Sequence, residues 1–304
     1  MSPSRKPPLF LLAAPRCFTS VSASILGAHP SAYSVPELNL LIVDCLQDFI
    51  EQQTDVYYMQ QHGILRAIAE LCAGEQTLDS IAMAQRWLFR RLRSSTGDIY
   101  REICEMIYPL TLVDKSPAYS VSLSRLNRIK ANFPDAYYLH ITRHPVNMNK
   151  SMHGLRSGYL MAALADSIDY SLPQEIVDPQ FLWFNCNANI VEFFRDIPSS
   201  QRLAIKGEDI LNDREKSLEL ICNWLDWDFS PSSYSSMLHP ERSVYARFGP
   251  LGAELGNDPN FLASPSLKDA RVSVAALSSD LDWIQPSRKL YPHVQSLART
   301  LGYD

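Results

Sequence analysis

The chain has no excess of basic residues, no clustered cysteines, no long apolar run and no nucleoside-triphosphate phosphate loop, and each absence removes a class of function. Its 28 Lys and Arg are outnumbered by 33 Asp and Glu, for a formal net charge of −5, so bulk nucleic acid is not an expected partner. The six cysteines, Cys17, Cys45, Cys72, Cys104, Cys186 and Cys222, form no Cys-x-x-Cys pair and have no histidines at ligand spacing. Zinc sites and disulfide frameworks are therefore not expected, no metal is expected, and cytoplasmic residence fits. No segment approaches the roughly 18 apolar residues of a membrane span. Arg5-Lys6 followed by Leu9 to Ala14 has the superficial look of a signal peptide, but the apolar stretch is short and runs into a polar turn. The pattern G-x-x-x-x-G-K-[ST] is missing, as is a clear magnesium-binding aspartate after a strand, which opposes phosphoryl transfer. There is no internal repeat or low-complexity tract.

What is present begins with residues 9–20, Leu-Phe-Leu-Leu-Ala-Ala-Pro-Arg-Cys-Phe-Thr-Ser. The run from Leu9 to Ala14 is too short for a helix core and has the unbroken apolarity of a strand covered on both faces. Val21 and Ile25, one helical turn apart, predict a helix after the turn. Arg16, Thr19 and Ser20 then lie where the free amides of a helix N-terminus converge, a place that favours phosphate or sulfate. An ordinary strand-to-helix connection capped by Thr19 or Ser20 is the alternative.

Further strands are predicted at Thr111 to Val113, Tyr137 to Thr142 and Leu203 to Lys206, separated by helical stretches. They describe an α/β fold with a central parallel sheet and helices on both faces, whose ligand sites lie beyond the carboxyl ends of the strands. With 46% hydrophobic and 20% charged residues, the 304-residue chain can bury a full core, and residues 1–304 are expected to form a single domain.

Four blocks carry a resemblance. Pro15, Arg16, Thr19 and Ser20, followed by His29-Pro30 and Glu37, are the first; Asp114-Lys115-Ser116-Pro117 is the second. Arg143-His144-Pro145 with Ser151 eight residues after Arg143 is the third, and Lys206-Gly207-Glu208-Asp209-Ile210 the fourth. Together they resemble the sulfotransferases that use 3′-phosphoadenosine 5′-phosphosulfate (PAPS), over nearly the whole chain and most weakly over residues 40–105. In that family the first loop usually reads Pro-Arg-Ser-Gly plus two hydroxyl residues, so Cys17 and Phe18 depart from it, and Gly207 stands where a tyrosine is common.

The resemblance implies a P-loop-like sulfotransferase fold, PAPS as donor and adenosine 3′,5′-bisphosphate (PAP) as product. It implies that residues 16–20, Arg16, Cys17, Phe18, Thr19 and Ser20, hold the 5′-phosphosulfate, and that Arg143 and Ser151 grip the 3′-phosphate. Lys115 would neutralise charge on the oxygen between phosphorus and sulfur. Glu37 is the expected base for an acceptor hydroxyl or, less readily, an amine; His144 and His239 are its rivals for proton transfer. Residues 239–285, rich in turn formers, are expected to fold over the donor, with Arg242, Ser243 and Arg247 as contacts. Residues 40–105 are expected to be mostly helical and to shape the acceptor side. There Arg86, Arg90, Arg91 and Arg93 make a basic cluster, read either as a solvated helix face or as a surface for a carrier-bound acceptor.

The acceptor class, a small molecule or a carrier-bound metabolite, is as far as the sequence reaches, and the oligomeric state is not legible. A phenylalanine at 18 resists the close backbone approach and positive φ that glycine permits. Cys17, at a helix N-terminus, invites a lowered thiol pKa. A sulfotransferase fold that binds a nucleotide or partner without catalysis is the competing reading; Phe18 favours it, and the retained Arg16, Glu37, Lys115, Arg143 and Ser151 oppose it.

Overall fold

The computed structural model describes residues 5–52, 55–155, 158–171, 175–281 and 287–304. Positions 53–54 and 282–285, within the expected acceptor-side and C-terminal regions, lie outside the described residues.

Among the described residues seven strands are present in chain order: β1 (Leu9–Leu12), β2 (Ala32–Ser34), β3 (Thr111–Asp114), β4 (Tyr137–Thr142), β5 (Ile168–Asp169), β6 (Ile176–Val177) and β7 (Arg202–Lys206). Five of them form one sheet in the order β2-β3-β1-β4-β7, and every pairing in it is parallel. β5 and β6 form a separate antiparallel pair.

The reason for the unbroken apolar run in β1 is visible in its surroundings. Side chains alternate between the two faces of a strand. Phe10 and Leu12 enter one hydrophobic cluster with the helices of residues 46–106. Leu9 and Leu11 enter a second, which includes residues of helices Thr19–Gly27, Arg214–Trp224 and Pro292–Thr300. Phe10 packs among the rings of Tyr100, Tyr119, Phe133 and Tyr138 at 5.4–6.1 Å between centroids. Both faces of the sheet are covered, as parallel sheets require.

The four strands read from the sequence are all in the sheet. The fifth, β2, is an edge strand of three residues, Ala-Tyr-Ser, too short and too polar to show a strand pattern of its own. The region 40–105 is mostly helical, with helices Leu46–Gln52, His62–Ala73, Leu78–Phe89 and Thr96–Met106. Leu65, Ile68 and Ala69 are buried as their spacing predicts, whereas Cys72, at the end of that stripe, is exposed. The terminal helix packs through Val294 and Ala298.

Parallel strands all end at the same edge of the sheet. The order reverses around β1, because the chain passes first to β2 and β3 on one side and then to β4 and β7 on the other, and ligand crevices in open α/β sheets open at such a point.

Candidate functional site

All five strands of the main sheet lead into a residue singled out from the sequence: β1 into residues 16–20, β2 into Glu37, β3 into Lys115, β4 into Arg143 and β7 into Gly207. These loops touch one another.

The first contact joins β2 to β3. Lys115 is completely buried, and its Nζ donates to Glu37 Oε1 at 2.5 Å, while the Glu37 side chain keeps 30% of its exposure. The pair is held from behind by Asp114, whose carboxylate accepts from Ser116 Oγ at 2.8 Å and from the Tyr119 hydroxyl at 3.1 Å. Ser116 Oγ in turn accepts the backbone N–H of Asn39 at 3.1 Å. Burial pushes the Asp114 carboxyl up to about 7, against these hydrogen bonds and the charge of Lys115. Glu37 is fixed from the other side as well: its N–H donates to the carbonyl of Gly256 at 2.7 Å. A side chain at Gly63, on the first turn of helix His62–Ala73, would place its Cβ 1.9 Å from the Glu37 carbonyl oxygen. The helix start must come that close to the loop.

The second contact joins β1 to β4. Arg143 donates from Nη1 to the carbonyl of Arg16 at 2.7 Å, and its own carbonyl accepts from Trp183 Nε1 at 2.8 Å. Arg16 Nε donates to Ser151 Oγ at 3.2 Å, which brings Arg16, Arg143 and Ser151 together across 135 residues of sequence. Buried Arg143 Nε has no hydrogen-bond partner among the described residues.

Arg16 and Phe18 both hold left-handed backbone conformations, with φ of 67° and 61°, each at a cost of roughly 1–2 kcal/mol for a residue with a Cβ. Such strain marks a loop fixed by its surroundings. Phe18 thus adopts the glycine-like conformation that its side chain disfavours. It is also the N-cap of helix Thr19–Gly27 and makes no side-chain cap. Neither Thr19 nor Ser20 caps the helix; Ser20 Oγ instead accepts the N–H of Asp258 at 3.0 Å. The helix start retains its uncapped end toward the loop, the arrangement that favours an anion.

Cys17 does not have the lowered pKa expected for a thiol in this position. It is fully buried with its Sγ toward the Pro15 carbonyl, and burial pushes the thiol far up, outweighing the nearby Arg143 and Arg16. Dehydration overrides the helix terminus, and only the backbone of Cys17 faces the loop.

Asp258 is the residue that sequence reasoning missed. Arg16 Nη1 donates to Asp258 Oδ2 in an ion pair. Burial alone would raise the Asp258 carboxyl, but the hydrogen bond and charge of Arg16, with a further contribution from Lys115, hold it below the ordinary carboxylate value. Segment 256–258 therefore ties the Glu37 loop to the Arg16 loop. The available signal was Asp258-Pro259: Asp258 is the N-cap of helix Pro259–Ala263, with proline at its start.

The remaining expectations land elsewhere. Arg242 and Arg247 are exposed, and Ser243 Oγ accepts the N–H of Tyr245 at 3.3 Å. Among the described residues none of the three bonds to Arg16, Arg143 or Ser151. Their segment is instead anchored by buried Arg66, which donates to the carbonyls of Arg247 at 2.7 Å and Leu255 at 2.8 Å. His239 pairs with Glu241 at 2.9 Å on the surface. His144 is buried with neither ring nitrogen bonded among the described residues, and burial lowers its pKa to about 4. His29 stacks on Trp227 with centroids 4.9 Å apart and accepts the Ser31 N–H at Nδ1, so its Nε2–H donates to the Asp228 carbonyl. Of the arginine cluster, Arg91 is bonded twice to Glu102 and lies 3.7 Å over the Trp87 ring, while Arg86, Arg90 and Arg93 are exposed.

Comparison with known proteins bears on the family and the fold. No curated protein sequence matches the chain. A sulfotransferase domain from the curacin biosynthetic pathway superposes with a TM-score of 0.78 at 25% identity, over 99% of this chain and 99% of that one. A sulfotransferase domain from the Synechococcus PCC 7002 olefin synthase superposes with a TM-score of 0.72 at 24% identity, over 99% and 96% of the two chains. A Mycobacterium avium sulfotransferase, at 15% identity and a TM-score of 0.52, covers 100% of this chain and 78% of its own, and shares the fold. The sulfotransferase family profile matches residues 7–231, a span that contains the β1 loop, Glu37, Lys115, Arg143 and Ser151, and the chain belongs to the sulfotransferase family.

Proposed function

We propose that this sulfotransferase takes its sulfuryl group from PAPS and transfers it to a hydroxyl, or less readily an amine, on a small molecule or carrier-bound metabolite. One observation carries the choice of donor: half-buried Arg143 has Nη1 on the Arg16 carbonyl and its buried Nε unbonded among the described residues, beside an uncapped helix start. An unbonded donor on a buried cation is costly unless an anion completes it. The two biosynthetic sulfotransferase domains that the chain resembles support a metabolite acceptor.

Bound, PAPS supplies a sulfuryl group whose bond to the bridging phosphate oxygen breaks as the acceptor oxygen bonds to sulfur, leaving PAP. The roles we assign to the chain's residues rest on the family resemblance and on the way these residues meet. Arg16 and the helix start with Thr19 and Ser20 hold the phosphosulfate, with the backbone of Cys17 and Phe18 shaping the loop. Arg143 and Ser151 hold the 3′-phosphate. Lys115 neutralises the leaving oxygen, and Glu37, partly exposed beside it, takes the acceptor proton. In this reading residues 1–304 are one domain acting in the cytoplasm, residues 40–105 form the acceptor side, and the segment around 239–285 closes over the donor through residues 256–258.

The donor assignment is tested at Arg143. Replacing it with alanine removes a charge-assisted contact worth about 1.5–3 kcal/mol, so affinity for PAP in a calorimetric titration falls roughly tenfold to a hundredfold. Wild-type affinity in Arg143→Ala would remove Arg143 from the donor site.

A further inference from the structure

The Phe18 ring lies directly against Arg143, with the guanidinium carbon 4.2 Å from the ring centroid. The left-handed backbone at Phe18 directs the ring to that position. The space it fills exists because residue 207 is glycine: a Cβ there would stand 2.7 Å from Phe18 Cδ2 and 3.2 Å from the Thr142 carbonyl oxygen. The ring is thus clamped between the start of helix Gly207–Asn212 and the guanidinium.

A stacked ring holds a cation without using its N–H groups. A carboxylate at the same place would both neutralise the charge and occupy the donors, whereas the ring quadrupole attracts the guanidinium face and leaves its edge free. The ring backs the Arg143 guanidinium on one side, and the Nη1 bond to the Arg16 carbonyl holds one of its corners; Nε stays unbonded among the described residues. Nothing else in the β1 loop accounts for a large aromatic in a conformation that glycine adopts without strain.

We infer that Phe18 is a positioning residue that aims Arg143, and that it sets how strongly the enzyme discriminates adenine nucleotides with a 3′-phosphate from those without one. The inference rests on the proposed contact between Arg143 and the 3′-phosphate. It extends that reading to a residue that contributes no hydrogen bond to the ligand.

The test is the ratio of the affinities for PAP and adenosine 5′-monophosphate, measured by calorimetry on the wild type, Phe18→Leu and Phe18→Gly. Leucine retains apolar bulk without an aromatic face, and glycine relieves the backbone, so at least one folded variant is available; thermal melting identifies it. The expected result is a wild-type ratio well above one that falls about tenfold in either variant, as loss of a desolvated cation–π contact predicts, because the affinity for PAP falls further than the affinity for adenosine 5′-monophosphate. A large wild-type ratio that persists in the folded variants, even if both affinities fall together, would reduce Phe18 to packing and overturn the inference alone. A wild-type ratio near one would remove the 3′-phosphate contact itself, and the inference with it.

Discussion

Lys115→Ala lowers turnover by about 10²–10³-fold, the loss typical when one preorganised donor to a developing negative charge is removed. The side chain is completely buried at the end of β3 and reaches the surface of the site only through its contact with Glu37 at 2.5 Å. A buried ammonium is costly unless a charge partner compensates it, and Glu37 supplies that partner here. Its effect falls mainly on the chemical step, since the charge on the bridging oxygen grows as the sulfur–oxygen bond breaks. Single-turnover rates with saturating PAPS and a competent acceptor measure this directly, and circular dichroism verifies the fold. A rate within a few fold of wild type would contradict the role given to Lys115.

Glu37→Gln comes next in size, with a loss of about 10²–10⁴-fold, the range for a positioned general base. The substitution is nearly isosteric, and the amide oxygen can still accept from Lys115 Nζ, so the loop that bonds to Gly256 should hold its place. PAP affinity and circular dichroism separate this loss from a structural one: both stay near their wild-type values in Glu37→Gln if the carboxylate acts on the acceptor proton alone. Because Glu37 and Lys115 are in contact, the double variant should lose little more than the worse single variant. Near-normal turnover in Glu37→Gln would move the base elsewhere, and His144, buried and held at low pKa, would be a poor substitute.

The sheet was legible in the sequence wherever a strand is covered on both faces. β1 is a short unbroken apolar run and β3 and β4 are short, largely apolar segments because helices lie above and below them, and their polar ends stand out by contrast. β2 was not legible, since a three-residue edge strand carries neither run nor alternation. The loop residues that follow each strand were readable because their chemistry is unusual for a turn, as with Arg16 and Lys115. What was not readable was how they face one another. Glu37 and Lys115, 78 residues apart, meet only through the sheet order β2-β3.

One local expectation and one local alternative fail for the same reason. Cys17 has no lowered pKa, and Ser20 does not cap the helix, because the β1 loop is roofed by segment 256–258 and the loop after β4. Tertiary burial overrode the local rules for helix termini. Asp258 escaped notice because an aspartate before proline reads as a helix start; its pairing with Arg16 spans 242 residues. Phe18 read as an obstacle when taken alone. Beside Gly207 and Arg143 it is a packed ring on a cation.

The measurement that bears most directly on the central claim is calorimetric titration of the wild-type protein with PAP, with ATP and adenosine 5′-phosphosulfate as comparisons. The account predicts that PAP binds with one site per chain and clearly tighter than either comparison, because only PAP presents both a 5′-phosphate to the β1 loop and a 3′-phosphate to Arg143 and Ser151. Equal or absent binding of all three nucleotides would contradict it and would favour a sulfotransferase fold that has kept its architecture without its donor.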